Sequence, residues 1–371
     1  MTRPIEGVGT AVAAFVGVAS GGPFDEPVDI DLDGWGTDED AIWGELHSSP
    51  LRRALGSFFD NGGVSAVAVR VSGIDVDAVR HGLDALDRVD LVNLLALPLD
   101  IAERNADTRA VVAEAAAFGE RRRAMLLVDP PASWTSLESA RSAMAEGATA
   151  AVGTASANAA LYAPRLRRPD PAHPGAALTF PASASVAGVF ARNDAAHGVW
   201  SAPAGTDASI RGADGLEFDV GNDDAESLTK LGISTLRFLA GHGPVVWGAR
   251  TLAGADATAS EWKYVPVRRT ALFLEESIDR GLRWAQFEPN GEELWAEVRA
   301  SVGAFLHDLF RVGAFRGDAP DRAYFVRCDR DTVTQRDLDA GEVPVIVGFA
   351  PIRPAEFVVL RIRASARRPG D

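Results

Sequence analysis

The stretch VSAVAVRVSGIDVDAVRHGLDALDRVDLVNLLAL, residues 64–97, decides the fold class. It opens with the β-rich run Val64–Val71 and closes with a second apolar run, Leu91–Leu97. Between them, Asp75–Leu86 has the spacing of a helix. A strand, a helix and a strand in this order are typical of a βαβ unit with parallel strands. The stretch therefore predicts an α/β fold.

The same alternation continues on both sides of this stretch. Further strands are predicted at Thr10–Val18 and Ala124–Val128. Further helices are predicted near Pro50–Phe59, Thr108–Arg122 and Ser136–Glu146, and a short run follows near Ala148–Val152. We expect an N-terminal α/β domain around a mixed, largely parallel sheet.

The composition changes in the middle of the chain. Region 163–205 is rich in proline and small polar residues, which predicts extended connecting structure. A second, α+β unit follows, with predicted strands at Thr235–Leu239, Val245–Trp247, Tyr264–Val267, Tyr324–Cys328, Pro344–Phe349 and Phe357–Ile362. Its predicted helices lie near Ala225–Leu231, Thr270–Arg283 and Glu292–Phe310. Pro266 marks the Tyr264–Val267 strand as an edge or bulged strand, and Asn290 is the expected N-cap of the last helix.

These elements divide the chain into four parts. Residues 1–9 form a short N-terminal arm, and 10–205 form the α/β domain with its proline-rich region. Residues 206–349 form the C-terminal domain, and 350–371 form a C-terminal arm and strand.

Composition and charge exclude several classes of protein. The 371 residues are 47% hydrophobic and carry a net charge of −15, which is typical of a globular protein and unfavourable for binding nucleic acid. The single cysteine, Cys328, excludes a disulfide framework. We find neither a secretory leader nor an apolar run long enough to cross a bilayer, so we expect a cytoplasmic protein without direct membrane insertion.

Motifs for common chemistries are missing from the sequence. It contains neither the Gly-x-Ser-x-Gly elbow nor a phosphate-binding loop, and its histidines are not paired at metal-ligand spacing. We therefore expect no cofactor and no metal. The acidic segment Asp29–Asp40 resembles a calcium loop, but Pro23 and Pro27 leave no room for the entering helix, which favours a solvated acidic loop.

The alternative of an enzyme rests on one aspartate. Asp129 follows a predicted strand, at the edge of the sheet where α/β enzymes place catalytic residues. Asp107 and Glu146 are the other carboxylates that a general acid–base pair would need. Nothing in their spacing brings the three together, and Asp before Pro commonly starts a turn, so the structural interpretation is favoured.

Several segments, in order along nearly the whole chain, resemble the contractile tail sheath family of phages and injection systems. They are RPIEGV with TAVAAFVGVASGGP (3–23), SVAGVFARNDAAHGVWSAPAG (185–205), VWGARTL (246–252), EWKYVPVRRT (261–270), FEPNGEELWAEVRASVGAFLHDLFRVGAFRG (287–317), YFVRCD (324–329) and VGFAPIRPAEFVVLRI (347–362). Two features depart from the pattern. The family's extended arm before the Arg3–Val8 equivalent is missing from the given sequence, and Pro266 stands where the family commonly has Asn.

The resemblance implies a non-enzymatic structural protein. Sheath subunits stack as helically related rings, expected here to be six-fold, around an inner tube, and they contract to drive the tube into a target. The implied partners are further copies of the chain, the inner tube protein, the baseplate and a tail-terminator or cap protein. By the same resemblance, residues 10–205 include the outer domain and 206–349 form the inner one.

The resemblance also points to two surfaces. The last strand, with Phe357, Val358, Val359, Leu360, Arg361 and Ile362, is expected to join a sheet of a neighbouring subunit. Deleting Pro354–Asp371 would then leave a folded protein that cannot polymerise. The helix Glu292–Phe310 is expected to face the tube with Glu292, Glu293, Glu297, Arg299 and Asp308.

Overall fold

The computed structural model describes residues 3–36, 42–44, 49–98, 106–170, 173–352 and 357–367. These residues form two compact units. The larger unit contains 9–197 and 202–268, and the smaller one contains 3–8, 198–201 and 269–367.

An eight-stranded sheet forms the centre of the larger unit, in the order β11-β10-β6-β5-β4-β1-β3-β2. The strands are β1 (Ala13–Gly17), β2 (Pro27–Asp31), β3 (Ser65–Arg70), β4 (Leu94–Ala96), β5 (Met125–Val128), β6 (Ala159–Ala163), β10 (Ile233–Leu239) and β11 (Gly243–Val246). Only the pairings of β2 with β3 and of β10 with β11, at the two edges, are antiparallel. The predicted mixed, largely parallel sheet is confirmed. Buried strands such as AAFVG in β1 contain almost only apolar residues, because helices cover both faces of a parallel sheet.

Apart from α5 and α6, the helices of the larger unit follow the sequence pattern closely. They are α1 (Pro50–Asp60), α2 (Val76–Ala85), α3 (Ala106–Arg121), α4 (Leu137–Met144), α5 (Ala148–Val152), α6 (Ser183–His197) and α7 (Asn222–Lys230). Their starts use ordinary capping chemistry: the side chains of Ser49, Asp75 and Ser136 accept backbone N–H groups of the first turns of α1, α2 and α4.

The region from 163 to 215 is more structured than the sequence predicted. It contains α6 and a small sheet in the order β8-β7-β9, formed by β7 (Leu166–Pro169), β8 (Ala177–Phe180) and β9 (Gly215–Leu216). Residues 183–191 of α6 are all buried, so this helix has no polar face that would identify it in the sequence. The expectation of extended connecting structure was wrong for this segment.

Two strands that we assigned to the second unit belong to the large sheet. β10 pairs with β6 in parallel, and β11 closes the edge beyond it. The division of the described chain by contacts accordingly falls after Arg268 instead of near residue 205.

The smaller unit consists of the helices α8 (Val265–Gly281), most of which lies in it, α9 (Glu292–Arg311), α10 (Pro320–Ala323) and α11 (Gln335–Ala340), and of the strands β12 (Tyr324–Arg327), β13 (Glu342–Phe349) and β14 (Val358–Ser365). The predicted Tyr264–Val267 strand was wrong. Only Tyr264 forms a β-bridge, with Arg250, and the helix begins at Val265. Pro266 is tolerated there because the first helical turn makes no use of its missing N–H.

Candidate assembly surfaces

The three-stranded sheet of the smaller unit has the order β12-β13-β14, with both pairings antiparallel. β14 pairs with β13 along its whole length, from Val358 opposite Phe349 to Ser365 opposite Glu342. The last strand therefore has a partner within its own chain, whereas we expected its partner in a neighbouring subunit. One edge of β14 is occupied by β13.

The predicted alternation along β14 is present. Val358, Leu360 and Ile362 are at most 4% exposed, while Val359, Arg361 and Arg363 face outward. One face of the strand thus belongs to the core of this unit, and the other is offered to solvent or a partner.

The outward face of the sheet combines aromatic and basic side chains. The rings of Phe325 and Phe357 stack with centroids 5.9 Å apart, and Phe357 is 42% exposed. Gly348 lies beneath this pair: a Cβ there would come within 2.1 Å of the Phe325 ring. The guanidinium of Arg327 lies 5.3 Å from the same ring. This surface suits a partner that covers apolar area and supplies negative charge.

On its second edge, β14 has no paired strand among the described residues. Among the described residues, the backbone contact beyond the strand is at its end, where Arg367 bridges to Pro289 and donates its N–H to the Glu288 carbonyl. Main-chain groups on an unpaired edge form a template for another strand.

Helix α9 has the predicted apolar stripe: Leu294, Val298, Val302, Phe305 and Leu306 are buried. The N-cap differs from our expectation, because Gly291 occupies that position without a side-chain cap. Asn290 instead accepts a hydrogen bond from the Trp295 indole N–H at 2.8 Å and donates to the Glu342 carbonyl at 3.0 Å. Asn290 therefore ties the start of the helix to β13.

The five charged positions predicted to face a tube are not equivalent. Glu292, Glu293 and Asp308 are exposed, and Glu297 is half-buried. Arg299 is also half-buried, and its guanidinium donates to the Cys328 carbonyl and lies 3.6 Å from the Glu292 carboxylate. Arg299 therefore holds α9 to the end of β12, so the expectation that it is left for solvent or a partner was wrong.

The segment Arg3–Val8 is anchored in a way that sequence reasoning missed. The Arg3 guanidinium lies 4.2 Å from the Trp284 ring and 2.8 Å from the Glu288 carboxylate. Its backbone N–H donates to Ser301 Oγ, and the N–H of Val8 donates to Ser277 Oγ. Arg-Pro-Ile-Glu is thus part of the fold of the smaller unit. The residues that hold this segment lie about 270 or more positions away in the sequence, so no local pattern identifies it.

Asp129 has a structural role. The residue is 6% exposed, and its carboxylate accepts hydrogen bonds from the backbone N–H groups of Ala182 and Ser183, at 2.8 and 2.9 Å. It thereby caps the start of α6 from the end of β5, across 53 residues of sequence. Glu146 takes no part in these bonds, and the side chain of Asp107 lies outside the described residues.

The acidic segment at Asp29 is partly a strand. Asp29 and Asp31 lie on β2 and pair with Val67 and Ser65 of β3, which is not the geometry of a calcium loop. Asp40 lies outside the described residues. Within the described ranges, no group of three or more potential ligands could hold a metal ion. No helix among them has the length and apolar character needed to cross a membrane.

Comparison with known proteins identifies what this arrangement resembles. The family model for the phage tail sheath protein central domain matches residues 74–252, and that for the phage tail sheath C-terminal domain matches 257–365. A putative prophage major tail sheath protein of Pseudomonas aeruginosa is 28% identical over 303 residues, 80% of this chain and 72% of the relative.

Two solved contractile assemblies are similar over nearly the full chain. The helical sheath of the anti-feeding prophage in its contracted state is 30% identical, with a TM-score of 0.78 over 97% of this chain and 94% of that one. The contracted sheath complex of the extracellular contractile injection system PVC is 28% identical, with a TM-score of 0.77 over 96% and 92%.

Proposed function

Because this chain belongs to the phage tail sheath family, we propose that it is a structural subunit of a contractile sheath, which polymerises helically around an inner tube and contracts to drive it into a target. The observation that carries the proposal is the match to the contracted anti-feeding prophage sheath, at 30% identity over 97% of the chain.

The C-terminal strand is the proposed contact between subunits. Phe357–Ile362 presents an outward face with Phe357, Val359 and Arg361, next to an edge on which no strand is paired in the described part of the chain. A strand of a second copy that adds to this edge gains main-chain hydrogen bonds, and its side chains cover the exposed apolar area. Repeating this contact from chain to chain without closure generates a helical polymer.

The acidic side of α9 is the proposed contact with the tube. Glu292, Glu293 and Asp308 are exposed, and Glu297 completes the acidic set. Arg299 contributes by fixing the helix on β12. A complementary basic surface on the tube would then set the register of sheath on tube more than the affinity, since exposed ion pairs contribute only about 0–1 kcal/mol each.

The remaining partners follow from the same assembly. We propose six-fold rings, a baseplate at one end and a terminator or cap protein at the other. Assembly takes place in a bacterial cytoplasm, with release as part of a phage or phage-like particle. Contraction uses no nucleotide and no catalysis. The commitment of Asp129 to capping α6 argues against the alternative of an enzyme centred on it.

Electron microscopy of the purified chain tests the proposal. We expect rings or tubes whose repeat matches a stack of helically related rings. A chain that stays dispersed over a range of salt and protein concentrations, both alone and with tube co-expressed from neighbouring genes, would contradict the proposed function.

A further inference from the structure

A small pocket lies in the larger unit, whereas the proposed assembly surfaces belong to the smaller unit. It is lined by α1, by Pro98 after β4, by the strands β7 and β8 and by the start of α6. The lining residues that matter here are Pro50, Arg53, Ser57, Pro98, Arg168 and Ser183.

The pocket lies at the carboxyl ends of the central parallel strands. β1 is flanked by β3 on one side and β4 on the other, so the chain changes direction across the sheet at this point. Pro98, two residues beyond β4, packs on the last residue of β1: a Cβ on Gly17 would come within 2.9 Å of its ring. In open α/β sheets, ligands bind in the crevice at such a switch point.

Two polar groups at the pocket lack a hydrogen-bond partner. Ser183 is completely buried, and its Oγ has no partner in the described structure. The Nε of Arg168 is likewise buried and without a partner. Leaving a buried donor unsatisfied is unfavourable, so both groups are available to an acceptor that enters the pocket. The backbone N–H of Ser183 already donates to the Asp129 carboxylate, so the side-chain hydroxyl is the donor that Ser183 can offer to a ligand.

The charges around the pocket favour an anion at Arg168. Burial, and next the nearby Arg53, lower the pKa of the Arg168 guanidinium, while Asp60 and Asp170 raise it to a smaller extent. The guanidinium also lies 5.0 Å from the ring of Phe180, which fixes its position. A half-buried guanidinium close to a second positive charge is stabilised by an anion bound beside it.

The size of the pocket limits the ligand. Its free volume is about 20 Å³, on the scale where a single water needs roughly 10–15 Å³. This volume is too small for a nucleotide or another cofactor, but it accommodates a terminal carboxylate group. We propose that this pocket binds a single carboxylate group, which accepts hydrogen bonds from Arg168 Nε and Ser183 Oγ.

The test uses the dispersed full-length chain with sodium acetate as the probe and sodium chloride at equal ionic strength as the reference. We expect a saturable rise of the melting temperature with acetate, of about 1 °C or more. Arg168→Gln and Ser183→Ala should weaken acetate binding at least about tenfold, the effect of losing roughly one charge-assisted hydrogen bond. Ser183→Ala removes only an unpaired hydroxyl, so it serves even if Arg168→Gln folds poorly.

Arg167→Gln is the matched control, because Arg167 is the exposed neighbour of Arg168 on β7. A general effect of acetate on the solvent would act equally on all variants. An equal response of the wild type, Ser183→Ala and Arg167→Gln, or no response at all, would overturn the proposal.

The source of the carboxylate is decided by polymer formation. If acetate inhibits wild-type polymers and Ser183→Ala impairs them, an acidic side chain of a second copy occupies the pocket. If polymers are unaffected while acetate still binds, the ligand is a free small carboxylate. Either result supports the pocket as a carboxylate site.

Discussion

Substitutions on the two faces of β14 should have different effects, and two neighbouring residues, one on each face, allow the effects to be compared. Leu360 is 2% exposed on the inner face, and Arg361 follows it on the outer face. Leu360→Ala removes buried methyl groups and leaves a cavity, which costs about 2–5 kcal/mol in well-packed cores. Arg361→Glu changes an exposed charge, so it should alter the free energy of unfolding by no more than about 0.5 kcal/mol.

Hydrogen exchange followed by mass spectrometry localises the effect. In dispersed Leu360→Ala, amides of β13 and β14 should exchange faster, by roughly 30-fold or more if local opening reports about 2 kcal/mol. In Arg361→Glu they should exchange as in the wild type, but electron microscopy should show fewer or shorter polymers. Arg121→Glu, an exposed charge reversal on α3, is the control and should polymerise normally.

Two results would refute this reasoning. If Leu360→Ala exchanges like the wild type when dispersed, β14 does not belong to the core of its own chain in solution. If Arg361→Glu polymerises like the wild type, the outward face of the strand is not an assembly surface.

The remaining predictions concern the cap, the helix α9, the thiol and calcium. Asp129→Ala should lower the free energy of unfolding by roughly 2–4 kcal/mol in urea titrations, because two buried N–H groups lose their acceptor, and Asp129→Asn should lose less; an unchanged midpoint would contradict this. Reversing the charges of Glu292 and Asp308 together should reduce co-sedimentation with tube without changing the circular dichroism spectrum, and normal co-sedimentation would count against a tube-facing α9. Burial raises the pKa of Cys328 to about 12, so a disulfide reagent at pH 8 should label it only after unfolding, and rapid native labelling would disagree with that burial. Millimolar calcium should leave the melting temperature unchanged, since binding to the native state would raise it, and a saturable rise would restore the calcium interpretation.

Periodicity in the sequence was sufficient for elements with a clear pattern. β1, β3, β4 and β5 are continuous apolar runs between turn residues, and α9 has a stripe with a polar side. In these elements the local pattern and the tertiary environment agree, so the sequence alone indicates them.

The elements that were missed lack such a pattern. The strand β6, AALYA, is short and alanine-rich, and it is stabilised by its position between β5 and β10. The helix α6 is buried on all sides over its first nine residues and has no amphipathic signal. Its cap, Asp129, comes from another element 53 residues away, a relation that no local reading of the sequence contains.

The candidate strand shows why exposure and pairing must be considered together. The alternation of apolar and polar residues predicted that Leu360 and Arg361 face opposite sides of the sheet. It could not determine which chain supplies the neighbouring strand. Within the described residues, β14 has a complete partner in β13, no strand paired on its second edge, and an exposed outer face. Because β14 is paired with β13 and packs into the core through Leu360, a force applied to its second edge acts on that core. If subunits are linked through that edge, the linking strand and the smaller unit move together as a rigid body. The contacts between subunits can then persist while the lattice contracts.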